Sequence, residues 1–158
     1  MSQWQQFARL VGEENRRLAE LNAAALRLTD ALVGNDPAAI DAAERRLEAQ
    51  RVLHGTAFAQ RIAMQRTGFG TLTLEQVTAY APGSLRRWMH GTVHQLATRG
   101  TELRLTVSNN KSLILAGLER LARTVAVLQR AGTEQTGTYR RRGIVPPPEG
   151  SVIVSRRA

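Results

Sequence analysis

The tetrapeptide Gly34-Asn35-Asp36-Pro37 separates two amphipathic stretches of nearly equal length, and it restricts the fold more than any other feature of the chain. Gly34 can take the left-handed conformation that ends a helix, Asp36 can accept from the free amides of the next helix, and Pro37 suits that helix's first turn. This order marks the tip of a helical hairpin and is hard to reconcile with a strand.

Before the tip, Trp4, Phe7, Val11, Leu18, Leu21, Ala25, Leu28 and Leu32 recur in heptad register, with Glu14 the one polar interruption. The spacing predicts a helix from Trp4 to Val33. After the tip the apolar residues are Ile40, Ala43, Leu47, His54, Phe58 and Ile62, weakened at Gln50 and Arg51 and ended by Thr67-Gly68-Phe69-Gly70. Two helices of equal length joined by so short a loop lie antiparallel, and neither covers the other's seam fully, so a third long element is required.

Thr73 with Gln76 forms a capping box for a short helix over Leu74 to Tyr80. Ser84 then caps a third long helix with the register Leu85, Met89, Val93, Leu96, Leu103, Val107, Asn110, Ile114, Leu118, Leu121, Val125 and Leu128. Gly91, Gly100 and Gly117 weaken it, and a break near Gly100 is expected. The expected fold is all-α, an elongated antiparallel hairpin or bundle of three long helices plus a short one. It occupies residues 1–131 and is followed by a flexible basic tail, 132–158, containing Pro146-Pro147-Pro148.

The absence of cysteine excludes disulfides, thiolate zinc sites and cysteine nucleophiles, and fits a cytoplasmic location. No stretch approaches the roughly 20 apolar residues of a membrane span. The net charge of +9 is carried almost wholly by arginine, Lys111 being the only lysine. Arginine forks suit phosphates and carboxylates, so an acidic protein, an anionic membrane or nucleic acid are the partner classes, unless the arginines merely solvate helix faces.

Catalytic furniture is sparse. His90 and His94 stand one helical turn apart, but Gly91 occupies the place of the glutamate that a helical zinc protease needs, so neither a metal nor a catalytic residue is expected. No glycine-rich loop sits between a strand and a helix, and no cofactor is expected. Tyr139 beside Arg140-Arg141-Arg142 leaves nucleic acid as an alternative partner. More pointed is the run Leu113-Ile114-Leu115, continued by Leu118, Leu121, Ala122, Val125, Ala126 and Leu128. Its arc exceeds the roughly 100° stripe that a bundle helix buries, leaving apolar surface for a partner's amphipathic helix, for the short helix, or for a second copy in a structural dimer.

The order of these features resembles the FlgN family of flagellar export chaperones. The resemblance rests on the long first helix, the Gly-Asn-Asp break and the run Ala42-Ala43-Glu44-Arg45-Arg46-Leu47-Glu48-Ala49-Gln50. It continues through Gly68-Phe69-Gly70-Thr71-Leu72-Thr73-Leu74, Asn109-Asn110-Lys111-Ser112-Leu113-Ile114, and the tail residues Tyr139 and Gly143. The family likeness implies a cytosolic, non-enzymatic chaperone that binds the amphipathic C-terminal helix of hook-associated (hook-filament junction) proteins and delivers them to the flagellar export gate. It further implies that Asn110, Leu113, Ile114, Leu118, Leu121 and Val125 line or support the client groove, and that Tyr139 docks at the gate. The three prolines after Gly143 and the arginines beside Tyr139 depart from the family pattern.

Overall fold

The computed structural model describes the backbone of residues 2–141 and the side chains of residues 2–132. Among these residues the fold is all-α, with four helices and no strand: α1 (Gln3–Gly34), α2 (Pro37–Phe69), α3 (Leu74–Ala79) and α4 (Gly83–Arg141). Three are long and one is short, as the periodicity requires. The chain divides into two units, Met1–Leu115 and Ala116–Ala158.

In the first unit α1 and α2 form an antiparallel hairpin. Contacts on α2 retreat as those on α1 advance: Gln3 bonds to Gly68, Trp4 and Phe7 pack on Phe69, Glu14 pairs with Arg61, and Leu28 and Ala31 cluster with Ala43. The tip differs from expectation in one residue. Gly34 is the last residue of α1, and Asn35 takes the left-handed conformation, with φ 50°. Asparagine tolerates that conformation better than other side chains because its short amide interacts locally with the backbone. Asp36 caps α2 by accepting from the amides of Ala38 and Ala39, and Pro37 occupies the first turn.

Helix α2 meets α1 through Ile40, Ala43, Leu47, Gln50, His54, Ala57, Arg61 and Met64, all buried or half-buried. The expected seam members Phe58 and Ile62 lie one residue further round; Phe58 is 44% exposed. The heptad therefore persists through the polar positions Gln50 and Arg61, which hydropathy alone passes over.

Helix α4 lies parallel to α1. Trp88 covers Gly12, Asn15 bonds to Gln95 and Arg99, Asn22 to Arg99, and Thr29 to Asn110, so both residue numbers rise together. Its buried or half-buried face in this unit runs Leu85, Met89, Val93, Leu96, Leu103, Thr106, Asn110 and Leu113, with Val107 and Ile114 turned outward. A straight helix with 3.6 residues per turn drifts from a strict seven-residue repeat, and the packed ridge follows the helix. The helix also passes through Gly91, Gly100 and Gly117 without the expected break. Each glycine costs at most about 1 kcal/mol relative to alanine, less than the neighbouring turns gain by packing on α1.

Three details at helix ends complete the unit. Ser2 and Gln5 form a capping box ahead of α1, and Thr73 and Gln76 form the expected one ahead of α3. Helix α4 begins at Gly83, with Ser84 inside its first turn, and the Pro82 carbonyl accepts from the amides of Leu85 and Arg86. The main core gathers all four elements: Phe7, Ala8, Val11, Val77, Ala81, Met89 and Val93, flanked by Trp4, Met64, Phe69, Leu72 and Leu96.

The described part of the second unit is the length of α4 from Ala116 onward. Helix runs past the expected end at Ala131 to Arg141, each added residue contributing one more backbone bond to an existing helix. The rest of the expected tail, 142–158, lies outside the described residues.

Candidate functional site

Two kinds of position hold the residues of interest: the interior of the first unit, which is unusually polar, and the outer face of α4 in the second unit.

Glu14, the apparent interruption in the first helix, is the inner partner of Arg61. Arg61 Nε donates to Glu14 Oε2 at 2.6 Å and Nη2 to Oε1 at 3.1 Å, with the two side chains 8% and 6% exposed. Arg61 Nη1 also donates to Gln65 Oε1 at 2.7 Å, and Gln65 Nε2 donates to the Leu72 carbonyl at 2.6 Å. The guanidinium carbon lies 5.0 Å from the centre of the Phe58 ring, a cation–π distance. The chain of bonds joins α1, α2 and the loop before α3. Its components are consumed by one another, which suits a structural role.

A second polar set fastens α4 to α1. Asn15 Nδ2 donates to Gln95 Oε1 at 2.9 Å, Arg99 Nη1 donates to Asn15 Oδ1 at 2.6 Å, and Asn22 Nδ2 donates to the Arg99 carbonyl at 3.0 Å. At the far end, Asn110 Nδ2 donates to the Ala25 carbonyl at 3.0 Å and Asn110 Oδ1 accepts from the Thr29 hydroxyl at 2.7 Å. Asn15, Asn22 and Thr29 repeat at intervals of seven, a signal present in the sequence but hidden by the louder apolar seam.

These bonds decide the place of Asn110 among the expected client-binding residues. It is 4% exposed and turned toward α1, so it is a supporting residue of the first unit. Leu113 is half-buried and Ile114 is 39% exposed in the same unit. In the second unit Leu118, Leu121 and Val125 are 57%, 61% and 44% exposed, and Leu128 is 66% exposed at the next heptad position. Tyr139, the expected gate-docking residue, belongs to the last turns of α4, and its side chain lies outside the described residues.

The outer face of α4 in the second unit is an apolar seam backed by charge. Leu118 and Val125 take heptad position a and Leu121 and Leu128 position d, whereas Glu119, Arg120, Arg123 and Arg130 lie on the opposite side. Such a seam buries itself against another helix, and it offers no group for bond making or breaking.

Elsewhere two carboxyls sit beside arginines on the same helix face. The hydrogen bond from Arg16 outweighs desolvation and, with a weaker one from Arg17, holds the Glu13 carboxyl below its ordinary range; Arg51 does the same for Glu48. His90 and His94 are exposed on α4, and among the described residues no three histidine, cysteine, aspartate or glutamate side chains gather as metal ligands would. Two shallow surface depressions flank α2, one lined by Ile62, Gln65, Arg66 and Leu72, the other by Gln6, Leu10, Gln60 and Met64. Among the described residues no helix is long and apolar enough to cross a membrane. Compared with protein-family models, with curated proteins and with solved structures, the chain gives no match.

Proposed function

We propose that this chain is a non-enzymatic export chaperone of the FlgN type, holding the amphipathic C-terminal helix of a hook-associated protein until it reaches the flagellar export gate. The observation that carries the reading is the exposed heptad seam Leu118, Leu121, Val125 and Leu128 on α4. A client helix with an apolar stripe aggregates when bare, and a complementary seam hides the stripe by the helix-to-helix packing used in amphipathic-helix recognition. The first unit then serves as the folded support from which α4 is presented. The same reading implies a cytoplasmic location and assigns Tyr139 to the gate.

The test uses the full chain and a synthetic peptide copying the last turns of a hook-associated protein, with affinity measured by calorimetry. Binding should saturate, show the negative heat-capacity change of apolar burial, and fall at least about tenfold in a Leu118→Asp, Val125→Asp variant. Undiminished affinity in that variant refutes the reading. Affinity for unrelated duplex DNA that collapses with added salt, with none for the peptide, identifies the chain as a nucleic-acid binder instead.

A further inference from the structure

Charge is unevenly distributed over the helices of the first unit. On α1 four arginines are balanced by four acidic residues, and on α2 five arginines stand against three. Over residues 83–115, α4 carries Arg86, Arg87, Arg99, Arg104 and Lys111 against Glu102 alone. Five of the nine arginines on α1 and α2 are paired with carboxylates. Among the described residues none of the five cations on this length of α4 has a carboxylate partner. Arg99 is turned to α1, where it bonds to Asn15, and the other four are exposed. Arg86 Nε donates to the Ala81 carbonyl and Arg104 Nη2 to the Thr101 hydroxyl, contacts that leave both charges uncompensated.

Their spacing sets these cations in a row. Arg86 and Arg104 stand eighteen residues apart, five full turns of an unbroken helix, and Lys111 follows within about 20° of the same direction. The row is about 37 Å long. Arg87 and Leu105 repeat the interval alongside it, and Leu105 is 68% exposed. Glu102 precedes Arg104 by two residues, about 200° around the helix, and so lies on the far side from the row.

We propose that this face of α4 docks on an anionic lipid bilayer, with the helix lying flat on the headgroups. A straight row of cations meets a plane along its whole length, whereas the phosphates of a duplex wind away from it. Leu105, exposed among the charges, gains by entering the boundary between headgroups and acyl chains, for which a phosphate backbone has no equivalent. Each basic side chain at the surface strengthens attachment about fivefold, so several must act together and added salt releases them.

Cosedimentation of the full chain with vesicles tests the proposal, using phosphatidylcholine alone and phosphatidylcholine with about one-third phosphatidylserine. The wild type should bind the anionic vesicles, ignore the neutral ones and detach as salt rises. Arg86→Ala with Arg104→Ala should weaken binding about 25-fold, and Leu105→Asp at least about fivefold. Arg45→Ala with Arg51→Ala takes the same charge from α2 and should change binding less than about twofold. All five positions are exposed, so unchanged helical circular dichroism confirms an intact fold in each variant. Equal binding to both vesicle types, binding to neither, or equal loss in the two arginine pairs overturns the proposal. So does retention of duplex DNA without retention of anionic vesicles, abolished by Arg86→Ala with Arg104→Ala, which assigns the row to nucleic acid.

Discussion

Glu14 and Arg61 form a two-pronged ion pair inside the α1–α2 hairpin, at 2.6 and 3.1 Å, with both side chains almost fully hidden from water. Attraction between them offsets the desolvation of two charges, so the pair is worth much less than the damage done by removing one member.

Glu14→Ala or Arg61→Ala alone should therefore destabilise the fold by about 3–5 kcal/mol, because each leaves a buried charge without its partner. The double replacement Glu14→Leu, Arg61→Met should be close to neutral or more stable than the wild type. Urea unfolding followed by circular dichroism measures both. A mild effect of the single changes contradicts the burial described for this pair.

The tip of the hairpin makes opposite demands on adjacent residues. Gly34 is helical, with open space where a Cβ would stand, so Gly34→Ala should stabilise by about 0.5–1 kcal/mol. Asn35 is left-handed, so Asn35→Val should destabilise by at least about 1 kcal/mol, while Asn35→Gly should be tolerated. If the two sites exchange these responses in thermal melts, glycine and not asparagine terminates α1.

Gln50 sits on the α2 seam with its side-chain oxygen buried and without a hydrogen-bond partner. Gln50→Leu removes the unsatisfied oxygen and continues the apolar series of Leu47 and Ala57. It should raise stability by about 1–2 kcal/mol, read as an upward shift of the urea midpoint at constant slope.

Acidification acts on Glu13 in a definite direction. Its carboxyl is depressed in the folded chain chiefly by the hydrogen bond from Arg16, against the opposing cost of desolvation, with a weaker hydrogen bond from Arg17 adding to the depression. A depressed carboxylate contributes stability that is present above its unfolded pKa and lost as pH falls through the folded one. Glu13→Gln should therefore be less stable than the wild type at neutral pH, with the gap closing below the ordinary carboxylate range. The gap should be modest and shrink in high salt, because the cluster is solvated. Paired melts at neutral and acidic pH check the sign.

Particular residues show where the sequence was readable. The hairpin, the short α3 with its Thr73 cap and the presence of a third long helix follow from apolar period and capping chemistry, which are local, whereas the unbroken course of α4 from Gly83 to Arg141 does not. Three further features were not readable in the same way. Glu14 looks like a defect until Arg61 arrives 47 positions later. The α2 seam runs through Ala57 and Arg61 because α1 offers a carboxylate there, although Phe58 and Ile62 are the more apolar neighbours. On α4, Thr106 and Leu113 displace Val107 and Ile114 because a straight helix drifts from the seven-residue repeat, so the ridge that meets α1 shifts by one residue. Hydropathy ranks side chains by their dislike of water; the packed ridge is chosen by what faces it.

The parallel pairing of α4 with α1 has a consequence for the order of events during synthesis. Hydrogen-bonded partners on these two helices lie 77 to 85 residues apart, whereas α2 follows α1 after a two-residue turn. At bacterial and eukaryotic elongation rates, roughly 80 residues take about 4–16 s. In the last part of that interval, once α2 has been made, the hairpin carries Asn15, Asn22 and Thr29 without their partners on α4. Those side chains are content in water, as leucines would not be. These polar groups lessen the apolar surface with which half of the first unit could stick to its neighbours on the polysome, although Phe7 and Val11 still await Met89 and Val93.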